Sequence, residues 1–187
     1  MGHPHIALIG RARSGKDTVA ARLVDRYAYT RVAIADPLKA MCLRVNPIID
    51  YEPSGFGQLP IHLTDTVRRS GWEHAKDTYP EVRRVLQSVG REVRNLDPGF
   101  WLGLALDKIG AADHWHLPVV VTDCRYPNEA EALVQRGFKV VRIIRPGVPR
   151  PIREHESETA LDEYPADVTV ANIGTVEDLN SLADKLT

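Results

Sequence analysis

The sequence predicts an α/β fold built on a five-stranded parallel sheet, and three observations predict it. Short apolar or β-branched runs recur at 6–9, 31–34, 118–122, 139–144 and 167–171. Stretches of helical periodicity lie between them, and strands joined through helices pair in parallel by right-handed crossovers. The first run, Ile6-Ala7-Leu8-Ile9, leads directly into Gly10-Arg11-Ala12-Arg13-Ser14-Gly15-Lys16-Asp17-Thr18, after which Val19, Ala20, Leu23 and Val24 recur at helical spacing.

That junction is the most informative stretch of the chain. Gly10, four intervening residues, Gly15 and Lys16 form a P-loop pattern. Glycines let the backbone wrap its N–H groups around a polyphosphate, and the following helix adds partial positive charge at its N-terminus. Lys16 adds a full charge against the β- and γ-phosphates. The Ser or Thr that usually follows the lysine is replaced by Asp17, with Thr18 next. A carboxylate also holds Mg²⁺, directly or through water.

The elements follow in order. A helix is expected from residue 15 to about 27 and a strand at 31–34. Asp36-Pro37 suits a helix entry, with Asp36 as cap and Leu38, Met41, Cys42 and Val45 as the apolar face. Residues 46–63 contain Pro47, Pro53, Gly55, Gly57 and Pro60 and read as an irregular, mobile loop. A short helix is expected at 64–70. Pro80 opens a helix to about residue 96, with Val82, Val85, Leu86, Val89, Val93 and Leu96 on one stripe. Residues 98–109 read as a helix that is apolar almost all round and therefore buried. A helix at 128–136 closes at Gly137, residues 145–157 form a loop with three prolines, and a last helix spans 175–186.

Composition bounds the function. The chain has 187 residues and a formal net charge of −1, so no overall basic field draws it to a nucleic-acid polymer or a membrane. Any phosphate must be met by locally clustered arginines. Cys42 and Cys124 stand in no metal spacing and read as reduced thiols of a cytosolic protein. The N-terminus has no signal-peptide pattern, Ile6 does not fit myristoylation after Gly2, and no apolar run is long enough to span a bilayer.

Several groups carry candidate chemistry. Asp123 sits where the strand at 118–122 runs out, where open parallel sheets bind ligands. It reads either as a partner of hydrated Mg²⁺ or an incoming nucleophile, or as a cap for the next helix. Arg84, Gln87, Arg91 and Arg94 share the polar side of their helix. They read either as forks for a phosphate with an amide for a base edge, or as a solvated face. Arg145, Arg150 and Arg153 flank the proline-rich loop, which either closes over transferring phosphates or is an exposed connection. His155 has no partner at metal spacing, and His114 and His116 receive no role. Trp101 reads as core; Trp72 and Tyr126 are open between core and base stacking.

Taken together, the loop at 10–18, Ala35-Asp36-Pro37-Leu38-Lys39, Leu86-Gln87-Ser88-Val89-Gly90-Arg91-Glu92, Thr122-Asp123-Cys124-Arg125-Tyr126-Pro127-Asn128-Glu129 and His155-Glu156-Ser157-Glu158 occur in that order. This resembles the deoxynucleoside monophosphate kinases of tailed bacteriophages. The resemblance implies a P-loop NTPase/NMP-kinase-like three-layer fold in one domain. A monophosphate-binding insertion is expected at about 37–110 and a mobile lid at about 145–158. It implies transfer of the γ-phosphoryl group of ATP to a deoxynucleoside 5′-monophosphate with Mg²⁺, in a homodimer in the host cytoplasm. Carried onto this chain, Gly10, Arg13, Ser14, Gly15, Lys16, Asp17 and Thr18 would bind ATP. Asp36, Lys39, Arg84, Gln87 and Arg91 would bind the monophosphate. Lys16, Asp123, Arg125, Arg150 and Arg153 would act on the transferring group, with Asp17 and Asp123 toward the metal. Two rivals stay open: a P-loop kinase for another small phosphorylated acceptor, of the phosphomevalonate or dephospho-coenzyme A type, and a nucleotide-binding switch without transfer.

Overall fold

The computed structural model describes residues 2–148 and 155–187. In chain order it contains β1 (Ile6–Ile9), α1 (Lys16–Tyr27), β2 (Thr30–Val32), α2 (Asp36–Val45), β3 (Ile48–Ser54), β4 (Gly57–His62), α3 (Leu63–Thr78) and α4 (Pro80–Leu96). There follow α5 (Phe100–His114), β5 (Val119–Val121), α6 (Pro127–Gln135), β6 (Lys139–Ile144), α7 (Glu156–Thr159), β7 (Val168–Ala171) and α8 (Val176–Ala183), with a 3₁₀ turn at Asp184–Leu186. Two compact units emerge, Met1–Ile34 with Ala105–Thr187, and Ala35–Leu104; the division falls inside α5.

The first unit holds a five-stranded sheet in the order β2-β5-β1-β6-β7, parallel throughout. β1 lies at its centre, pairing Ile6 with Val120 on one side and with Lys139 on the other, and all four of its residues are buried. Ile6, Leu8, Val120, Val141 and Ile143 pack with Val19 and Leu23 of α1 and with Leu179 and Ala183 of α8. The alternate residues Ala7, Ile9, Val119, Val121 and Val140 are equally buried, so both faces of the sheet are covered. That is the three-layer arrangement expected of β-branched runs with no polar face. Gly137, at φ +81, ends α6 by donating its N–H to Val134 O at 2.9 Å, as a glycine after a helix does.

The second unit packs α2, α3 and α4 around Cys42, Ile49, Leu63, Ala75 and Val82, with Leu38, Trp72, Val85, Leu86 and Val89 partly buried against them. Here the structure corrects several sequence expectations. Residues 46–63 are no irregular loop: β3 and β4 form an antiparallel hairpin turned at Gly55-Phe56, with Gly57 at φ +116. Ser54 Oγ braces that turn, donating to Gly57 O at 2.8 Å and accepting the Phe56 N–H at 3.2 Å. Pro53 and Pro60 are tolerated because each strand has a single partner, leaving an edge where no N–H is required. Only Ile49 of β3 is buried, so the strand alternation that would have betrayed the hairpin is weak.

The helix expected at 64–70 continues to Thr78, bent at Gly71. α2 begins with Asp36 inside its first turn, with Ala35 as the cap and Pro37 next; the acidic side chain there faces the positive end of the helix. In α4 the stripe fades toward its C-terminus, where Leu96 is largely exposed. α5 is longer than expected and not buried all round. Trp101, Leu102, Ala105 and Ile109 are buried while Phe100 and Leu104 are more than a third exposed. Trp101 is core, as its sequence context suggests.

Gly71 adopts φ 79, ψ 170, a region essentially closed to other residues, and no neighbour lies near its would-be Cβ. Gly71→Ala should therefore cost about 1–3 kcal/mol through backbone strain alone. Gly103, helical and equally uncrowded, should instead gain about 0.5–1 kcal/mol on replacement by alanine. Denaturant midpoints of the two variants, moving in opposite directions from the parent, check both assignments.

Candidate functional site

The carboxyl end of β1 runs into the glycine loop, and close approach of backbone shapes it. Gly10 sits at φ +130, and a Cβ there would lie 2.3 Å from Ile143 O of β6. Gly15, at φ +109, would place a Cβ 2.7 Å from Asn172 Nδ2. Neither position admits a side chain. Arg13 also takes a left-handed conformation, at φ 61. Asn172, just beyond β7, donates from Nδ2 to Ser14 O at 2.9 Å and so ties the loop to the far edge of the sheet. Ser14 Oγ is buried with no hydrogen-bond partner among the described residues.

Lys16 is the first residue of α1 and is 7% exposed. Its ammonium donates to Gly10 O at 2.6 Å and Arg11 O at 2.7 Å. Burial, and then the neighbouring Arg125 guanidinium, lower its pKa to about 8, against the opposing pull of Glu158, Asp17 and Asp123. These charges therefore share one electrostatic neighbourhood with the loop.

Asp123 lies just past β5 and accepts the Ile34 N–H on Oδ1 at 2.7 Å. Arg125 follows, its backbone N–H donated to Glu129 Oε2 at 2.8 Å; the same oxygen accepts the Tyr126 N–H at 3.1 Å. Glu129 is buried, so the start of α6 is pinned by a carboxylate inside the fold. The Arg125 guanidinium forms an ion pair with Glu158 and donates to Ser157 O at 3.3 Å. Burial alone would lower the arginine's pKa, but Glu158 beside it holds it above its ordinary value. Burial alone would likewise raise the Glu158 carboxyl, but Arg125 and the Ala12 N–H hold it below the usual range. That amide donates to Glu158 Oε2 at 2.7 Å. Further along, Asp162 pairs with Arg11, and Arg142 of β6 donates to Leu161 O at 2.9 Å and to Tyr164 O.

In the second unit, α4 packs on α2 where a Cβ at Gly90 would come within 3.1 Å of Leu38 Cδ2. Lys39 Nζ lies 3.9 Å from Asp36 Oδ1 and 5.9 Å from the Trp72 ring centroid. Arg91 and Gln87 are exposed, Arg91 lying 3.6 Å from Glu92 Oε1, and Arg84 is paired with Glu81 one turn before it. Arg150 and Arg153 lie outside the described residues. Within the first unit, the structure thus gathers Gly10, Ser14, Gly15, Lys16, Asp17, Asp123 and Arg125. Asp36 and Lys39 are brought together in the second.

Glu129 and Glu158 fall in segments that carry the family resemblance but received no role from the sequence, and Asn172 was not singled out. Asn172 had a signal, a polar residue at the carboxyl end of a strand beside the loop. The role of Glu158 depends on contacts far along the chain, to Ala12 and Arg125, and that of Glu129 on its burial under the Arg125 and Tyr126 amides. Among the described residues no three His, Cys, Asp or Glu side chains cluster as a metal site. Asp17 and Asp123 still suit Mg²⁺, which keeps several waters and takes one or two carboxylates beside substrate phosphates. A cavity of about 350 Å³ lies elsewhere, lined by Ile6, Lys139, Val168 and Lys185, toward the amino ends of the strands and away from this chemistry. No helix among the described residues is long and apolar enough to cross a membrane.

Comparison with known proteins adds a family. A profile described as deoxynucleotide monophosphate kinase matches residues 43–182. ORF76 of Ictalurid herpesvirus 1, an uncharacterised protein, is 30% identical over 97% of this chain, which spans 66% of that relative. ORF77 of the same virus is 35% identical over 68% of the chain and 58% of its own length. A putative deoxynucleotide monophosphate kinase of Acanthamoeba polyphaga mimivirus is 28% identical over 94% of this chain and 92% of its own. A crystal structure of a putative kinase from Chloroflexus aurantiacus is alike at a TM-score of 0.42 and 10% identity, covering 99% of this chain and 96% of its own, too slight a likeness to bear on function.

The lowered pKa of Lys16 has a consequence for stability. The unfolded chain, with its ordinary lysine value of 10.5, binds more protons than the folded one between about pH 8 and 10.5. Stability from this group therefore rises with pH through that window, and the cost of the buried charge is fully present below it. Between pH 7 and 9 the parent should gain about 1 kcal/mol relative to Lys16→Met, measured by chemical unfolding at both pH values.

Proposed function

Because the chain belongs to the deoxynucleotide monophosphate kinase family, we propose that it transfers the γ-phosphoryl group of ATP to a deoxynucleoside 5′-monophosphate, giving the diphosphate and ADP. The observation that supports this most is the loop at 10–18 itself. It is a turn in which only glycine fits at two positions, with a buried lysine ammonium and a guanidinium in reach of it.

The roles follow from the chemistry. Phosphoryl transfer asks the protein to bring two anionic groups into line and to offset their repulsion; it asks little covalent help. Loop amides and the N-terminus of α1 bind the ATP phosphates. Lys16 leaves the two loop carbonyls it holds and meets the β- and γ-phosphates. Arg125 neutralises charge that develops on the transferring group, and Arg150 and Arg153 add to it. Asp36, Lys39, Arg84, Gln87 and Arg91 in the second unit bind the acceptor, arginine forks taking its phosphate and Gln87 its base. Asp17 and Asp123 would hold Mg²⁺, which would neutralise phosphate charge when bound. Asp123 also keeps the strand end in register through Ile34. We further propose a homodimer, to be checked by sedimentation.

ADP formation should require one of the four deoxynucleoside monophosphates. A chain that consumes ATP with phosphomevalonate or dephospho-coenzyme A and ignores every dNMP would contradict the assignment. Lys16→Ala should lower kcat by about 10²–10³ with the fold intact by circular dichroism. Arg91→Ala should raise KM for the dNMP about 10-fold or more while leaving KM for ATP near its parent value.

A further inference from the structure

The phosphate loop already holds an anion of the chain's own making. Glu158 accepts the Ala12 N–H on Oε2 at 2.7 Å, and its other oxygen pairs with the Arg125 guanidinium. It also acts electrostatically on Lys16. One carboxylate thus engages a loop amide, a guanidinium and an ammonium field, the donor set that suits a phosphate oxygen. The arrangement is built rather than incidental. The Glu158 side chain is 24% exposed and that of Arg125 32%. The segment carrying Glu158 is anchored just after it, by Arg11 to Asp162 and by Arg142 to Leu161 O.

We propose that Glu158 is a resident phosphate mimic, and that a nucleoside triphosphate binds by displacing its carboxylate from Ala12 and Arg125. A bound polyphosphate beside an ionised Glu158 would place like charges on the same donors, and Asp17 and Asp123 already add negative charge nearby. Exchange avoids that repulsion. It gives each donor an equivalent partner in both states. It also releases Arg125 for the phosphate only when one is present. Glu158 therefore scales the apparent affinity for ATP down to the fraction of molecules in which the donors are free.

This rests on the kinase reading only in taking ATP as the ligand, so the test reads binding and not turnover. Glu158→Gln and Glu158→Ala should bind ATP about 3- to 10-fold more tightly than the parent by calorimetric titration. Affinity equal to or weaker than the parent's would overturn the proposal, because Glu158 would then support the bound state, and the kinase reading would stand. Binding of ATP by neither parent nor variants would overturn both. A second measurement needs no variant. In the parent, the side-chain carboxyl ¹³C resonance of Glu158 should move toward the value of a solvated glutamate as ATP saturates the protein. A resonance that stays in place would show the carboxylate still on its donors and would overturn the exchange.

Discussion

The close approach of the glycine loop to β6 is the constraint on which the rest depends. With a would-be Cβ at Gly10 only 2.3 Å from Ile143 O, the chain leaves β1 without room for a side chain and must turn at once. That turn brings Lys16 to the first position of α1, buried and donating to the carbonyls of Gly10 and Arg11. β1 is at the centre of the sheet and wholly buried, so the loop inherits a rigid base. Asn172 extends the same rigidity from the edge strand by holding Ser14 O. A loop preorganised this way spends little of its binding energy on ordering itself.

Charge is balanced around the loop. A buried ammonium and a guanidinium would repel one another strongly with no anion between them. Glu158 supplies one, at the cost of its own desolvation, and Asp17 and Asp123 contribute from further away. The cations that would serve a phosphate are thus held in place by carboxylates until one arrives. On the proposed exchange, phosphate would be recognised by replacing one anion with another rather than by a bare positive surface.

The sheet of the first unit was largely legible because its signals are local. Ile6 to Ile9 and Val119 to Val121 are apolar runs that only a strand buried on both faces requires, and the glycine spacing marks the loop. The hairpin at 48–62 was not legible: its strands are mostly exposed, so no alternation records them, and its prolines and glycines imitate a loop. The bend at Gly71 and the one-sided burial of α5 depend on packing partners distant in sequence. The same holds for the site. Lys16 and Asp123 announce themselves by position, whereas Glu158 matters through Ala12 and Arg125, the former 146 residues away along the chain. Pairings of that range leave no periodicity to read.

On the proposed function, main-chain amides of residues 10–18 together with Lys16 recognise the phosphates, with the base and sugar secondary. Competition against a fluorescent ATP analogue tests it most directly, using inorganic tripolyphosphate and adenosine as separate competitors. Tripolyphosphate should displace the analogue from the parent and not from Lys16→Ala, while adenosine competes weakly with either. Displacement by adenosine alone, with tripolyphosphate inert, would contradict it.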